Sequence, residues 1–120
     1  MDFVGLAWGS VALSQILNVA HSIDRIEFVW VGGERVRVDY GVPKFWGDAD
    51  SAYCGFAKYQ YAPIIFVNTA CEDNTRTLKH EIKHIEQAQW YFYPAAGEVR
   101  RPYAELQFDF GVEAYEAGNT

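Results

Sequence analysis

Residues 74–93 of this sequence keep the 3.6-residue apolar period of a helix over a single long run. Asp73 or Asn74 supplies an N-cap side chain, and Pro94 stops the run. A helix with one apolar face needs a partner layer, and the sequence before it supplies one with a different period. Residues 26–31 form an apolar run interrupted only by Glu27, and Gly32-Gly33 follows, a dipeptide suited to the positive φ angles of a tight hairpin. Residues 35–40 then alternate, with Val36, Val38 and Tyr40 on one face and Arg35, Arg37 and Asp39 on the other. Residues 53–59 and 63–67 read as two further strands, separated from the hairpin by a loop over 41–51. Upstream, residues 10–21 read as an amphipathic or buried helix. Downstream, Pro102 suits a first helical position and residues 103–117 read as a last helix. The order is helix, four short strands, two helices: an α+β domain with a four-stranded, mostly antiparallel sheet.

The 120 residues fit one domain over 1–120, and a chain that is 50% apolar builds its core without disulfides. Sixteen acidic against ten basic residues give a net charge of -6, which argues against a nucleic-acid partner, since phosphate binding needs clustered positive charge. No apolar run is long enough for a transmembrane helix, so no membrane partner is expected. Met1 and Asp2 lack the positive charge that opens a signal peptide. Cys54 and Cys71 read as two free, mostly buried thiols of a reducing, cytoplasmic compartment. Neither has a Cys or His at the short spacing of a structural zinc site.

The long helix carries His80-Glu81-Ile82-Lys83-His84, an HExxH sequence. Residues four apart on a helix differ by about 40° around the axis, so both imidazoles point the same way. Two neutral imidazoles are good ligands for Zn2+ and leave coordination positions open. Glu81, beside the first ligand, can take a proton from a water that the metal has acidified. On the helix wheel Leu78, Ile82, Ile85 and Phe92 form the core stripe, while Lys79, Lys83 and Glu86 form the wet one. His80 and His84 fall on a third stripe with Thr77, Ala88 and Tyr91, and Trp90 lies on the polar side. The last helix presents Glu105, Asp109 and Glu113 on one face, and one of these is expected to complete the metal site. Tyr91, Tyr103 and Tyr115 are candidates for a donor to the oxyanion of the transition state. His21 reads as a surface or capping residue.

HExxH followed by a helix bearing Glu-x-x-x-Asp resembles the gluzincin branch of the zincin metallopeptidases, which includes the thermolysin-like enzymes. The resemblance covers residues 53–117. It implies a small zincin-like domain that hydrolyses peptide bonds, with Glu81 as the general base. It also implies Glu105 as third zinc ligand, 21 residues after His84, and Asp109 as the group that holds a ligand histidine by hydrogen bonding. Glu113, 29 residues after His84, is the alternative third ligand. Zincins place a strand before the active-site helix, matched by 63–67. They also have an edge strand that pairs with extended substrate, which assigns Gly55, Phe56 and Ala57 to substrate binding.

The resulting expectation is a minimal zinc peptidase acting on a peptide or protein substrate. The alternative is a non-catalytic assembly or binding protein, such as a phage structural component associated with the virion, that keeps the fold and the metal. Glu81 separates the two in part, because a purely structural metal site has no need of a carboxylate beside its first ligand.

Overall fold

The structure, a computed structural model, describes residues 20–44, 53–59, 62–94 and 96–120. Strand β1 (Ala20–Val31) turns into β2 (Glu34–Lys44) through Gly32 and Gly33, with φ of +57° and +81°. Both central residues of the turn are left-handed, which glycine adopts without steric cost and which matches the twist of the flanking strands. A side chain at Gly32 would also collide with Gln89, whose Nε2 donates to the Val31 carbonyl (2.7 Å) and to Glu34 Oε1 (3.0 Å). The hairpin is thereby tied to the long helix. Strands β3 (Gly55–Tyr59) and β4 (Pro63–Asn68) follow, then helices α1 (Asn74–Phe92) and α2 (Tyr103–Gly118).

The α+β class is as the sequence suggests, but the sheet is mixed rather than mostly antiparallel. Its order is β1-β2-β4-β3, with β1–β2 and β3–β4 antiparallel and the central β2–β4 pair parallel. The chain leaves β2 for the far edge, runs as β3, and returns as β4 between the two. The connection between β3 and β4 is too short for anything but an antiparallel pair. β2 also runs on to Lys44, through residues expected to be loop. The expected helix over residues 10–21 lies outside the described residues, except that Ala20 and His21 belong to β1.

The core lies between one face of the sheet and the helices. Val36, Val38, Tyr40, Ala57, Tyr59, Ile65 and Val67 pack against Ile85 and Ala88 of α1, with Leu106 and Phe110 of α2 closing the cluster. Leu78, Ile82 and Phe92, the expected core stripe of α1, pack against it half-buried. Asp73 caps α1 by accepting the Arg76 N–H at Oδ1 (3.0 Å), and α1 ends at Phe92, two residues before Pro94. Pro102 occupies the N-cap of α2, one position earlier than expected.

Cys54 and Cys71 form a disulfide, with Cα atoms 5.7 Å apart. This corrects the reading of two free thiols, and the reducing compartment inferred from those thiols loses its basis. The sequence gap of 17 residues closes in space because β3 and β4 are paired neighbours. Cross-linking a loop of this size contributes about 3 kcal/mol by restricting the unfolded chain. Beside the disulfide, buried Asn68 knits the end of β4 to its surroundings. Its Nδ2 donates to the Tyr53 carbonyl (2.8 Å), its Oδ1 accepts from Ala70 N–H (2.9 Å), and its carbonyl accepts from Asn74 Nδ2 (3.0 Å). The start of β3, the end of β4 and the start of α1 are therefore held as one unit. No helix among the described residues is long and apolar enough to cross a membrane.

Candidate metal centre

The first half of α1 carries His80, Glu81 and His84, all buried. Their candidate ligand atoms lie within 4.8 Å of one another, the only such group of three or more His, Cys, Asp or Glu side chains among the described residues. Three buried atoms in this group, His80 Nε2, Glu81 Oε1 and His84 Nε2, make no hydrogen bond within the protein. Buried polar atoms are almost always satisfied, so three such atoms within a few ångströms of one another form a set of acceptors that a metal ion could satisfy. Two imidazole nitrogens and a carboxylate oxygen are a donor set that suits Zn2+. The residues present therefore fit the ion.

Neighbouring elements bury the group more deeply than the helix wheel suggests. On one side, β3 approaches through Gly55. A Cβ there would meet the Phe66 carbonyl and Thr77 Cγ2 at 2.7 Å and Glu81 Oε2 at 3.3 Å, so only glycine lets the strand close on the carboxylate. On the other side α2 packs on α1 and buries Leu106, Phe110, Gly111, Ala114 and Gly118. The small residues bring its backbone close to His80, which bonds to the Ala114 backbone.

Burial also sets the protonation states of the metal-free chain. Desolvation is the largest effect on both histidines, which are lowered from 6.5 to about 4. The nearby Arg76 charge adds to the lowering at His80, and His80 itself adds to it at His84. Both imidazoles are thus neutral at pH 7, the form that binds metal. Desolvation pushes the Glu81 carboxyl well above the usual range.

The acidic residues of α2 fall elsewhere. The helices run antiparallel, with Tyr103 against Tyr91 and Gly118 against Arg76. Glu105 is nine residues from Ala114 along α2, roughly 14 Å at 1.5 Å per residue, and is exposed. Asp109 is exposed and faces Arg101 at 3.8 Å, and is not brought to either histidine. Glu113 does not join the group of His80, Glu81 and His84, but accepts a hydrogen bond from Gln87 Nε2 (3.0 Å). Gln87 in turn meets His84 Nδ1 at 2.8 Å, a contact absent from the sequence reading. The signal was available: Gln87 lies three residues after His84, on the same helical face.

A cleft of about 400 Å³ opens onto the group, lined by Gly55, Thr77, His80, Glu81, Tyr115 and the disulfide. Of the three candidate tyrosines, Tyr115 alone lines it, its ring edge-on to His80 at 5.0 Å. Tyr91 and Tyr103 pack on each other at the far end of the helix pair. β3 is an edge strand among the described residues, and its Gly55 end reaches the cleft. The side chains of Phe56 and Ala57 are buried, the first stacked on Phe66 and the second in the core. Trp90 is half-exposed, edge-on to Phe110 and covered by the Arg100 guanidinium at 3.8 Å. Comparison with known protein families, with curated proteins and with solved structures gives no match.

Proposed function

We propose that this chain is a zinc-dependent peptidase in which His80 and His84 hold the ion and Glu81 is the general base. The observation that carries the reading is the convergence of two bare imidazole nitrogens and a buried carboxylate oxygen at a cleft. Zinc, when bound, supplies a Lewis acid that lowers the pKa of a water toward about 7. The positive charge also favours the ionised form of Glu81, opposing the desolvation that raises its pKa in the metal-free chain. Glu81 then accepts a proton from the attacking water and returns it to the leaving amine. Tyr115 lines the cleft wall, which supports it as the donor to an oxyanion. The backbone at the Gly55 end of β3 offers an edge against which an extended peptide can lie.

Zinc-loaded protein, incubated with a broad peptide library and read by mass spectrometry, will release cleavage products, and a chelator will stop their release. Bound zinc without cleavage favours the second reading, a non-catalytic assembly protein. One observation supports that reading independently: Ile26, Phe28 and Trp30 alternate along β1 and are exposed, Trp30 by 72%. An exposed apolar row of this kind is characteristic of a surface that meets another protein.

A further inference from the structure

We propose that Gln87 is a positioning residue that fixes the tautomer of His84, with Glu113 and the Phe110 carbonyl holding its amide in place. The inference rests on the zinc reading for its purpose but on hydrogen bonding alone for its geometry. Gln87 is buried on α1, one turn after His84. One end of its amide lies 2.9 Å from the Phe110 carbonyl oxygen and 3.0 Å from Glu113 Oε1. The carbonyl can only accept, and so can a carboxylate, so this end is the NH2 group and both of its protons are used. The other end is therefore the carbonyl oxygen, which also can only accept. His84 Nδ1, 2.8 Å away, must donate to it. A neutral imidazole has one N–H, so His84 Nε2 is left as a bare lone pair. That atom is one of the three that converge without a hydrogen bond, so the proton is on the side of the ring away from the candidate metal position.

Glu113 takes a different role here from that of a ligand. Its carboxylate accepts from the amide, polarises it, and so makes Oε1 a better acceptor for His84. The amide also ties α1 to α2 at the level of the histidine, so ring orientation and helix packing are set by the same group. Asp109, which the resemblance assigns to holding a histidine, faces Arg101 instead.

The test uses the metal-free chain labelled with 15N-histidine, in which NMR reports directly which ring nitrogen carries the proton. Wild-type His84 will show protonated Nδ1 and bare Nε2 at pH 7. Gln87→Leu will lose that preference, and its zinc affinity, measured by competition with a chelator, will fall about 10–100-fold. Glu113→Gln keeps an acceptor for the Gln87 NH2 group and leaves the Phe110 carbonyl in place, so it will keep the tautomer and most of the affinity. A role in packing alone would move stability but not the tautomer. If Gln87→Leu does not fold, the wild-type spectrum decides. A wild-type chain with protonated Nε2 overturns the assignment, as does a Gln87→Leu chain with unchanged tautomer and affinity. A wild-type chain with protonated Nδ1 that takes up no zinc supports the assignment of Gln87 and contradicts the zinc reading alone.

Discussion

Replacing Glu81 with glutamine will lower peptide hydrolysis by about 10²–10⁴-fold, the usual contribution of a general base, while zinc stays bound. Glutamine keeps the volume and one acceptor oxygen but cannot accept the proton at pH 7. The variant also distinguishes two roles that the geometry leaves side by side. Glu81 lies within 4.8 Å of both imidazole nitrogens, close enough to act through a water or to ligate directly. As a base it is dispensable for affinity, so Glu81→Gln will bind zinc like the wild type. A matching loss of zinc and activity would make Glu81 a ligand and leave the site without its base.

The metal-free chain will lose stability as the pH falls from about 6.5 toward 4. Unfolded histidines take up protons below about pH 6.5, whereas His80 and His84 in the fold resist until about 4. Below 6.5 the unfolded state therefore binds more protons, and stability falls as the pH drops toward 4. Together the two groups contribute on the order of 3–6 kcal/mol to this fall. Glu81 acts in the opposite sense. Burial raises its pKa, so its contribution is complete below the unfolded carboxylate value and is lost as pH rises toward the folded one. Two histidines outweigh one carboxyl over this range. Urea midpoints measured in chelator across pH 4–7 will show the fall, and Glu81→Gln will keep it and steepen it, because the opposing carboxyl is gone. A profile that is flat between pH 4 and 6.5 would contradict the burial of the two histidines.

Much of the fold can be read locally. The period of residues 74–93, the Asp73 cap and Pro94 define α1, and Gly32-Gly33 defines the hairpin, because each signal lies within a few residues. The parallel pairing of β2 with β4 is a long-range choice that no local pattern encodes. The disulfide depends on a different pair, since β3 and β4 must be neighbours before Cys54 and Cys71 can meet. His80, Glu81 and His84 were legible because a single helix fixes their relative positions. The partner of that group on α2 was not, because spacing along α2 says which acidic residues share a face but not which level of α1 they reach. Ala114 and Gly118 set that level through close backbone approach, bringing Glu113 to Gln87 and leaving Glu105 in solvent.

The claim on which the rest depends is that His80 and His84 together hold one zinc ion, and a metal titration tests it most directly. Metal-free wild type and His84→Ala are titrated with zinc against a chelator of known affinity, with folding checked by circular dichroism. Wild type will take up one equivalent per chain, and His84→Ala will bind more than about 100-fold more weakly, since it loses a ligand rather than a supporting contact. A folded wild type that takes up no zinc, or a His84→Ala chain that binds it equally well, would contradict the claim.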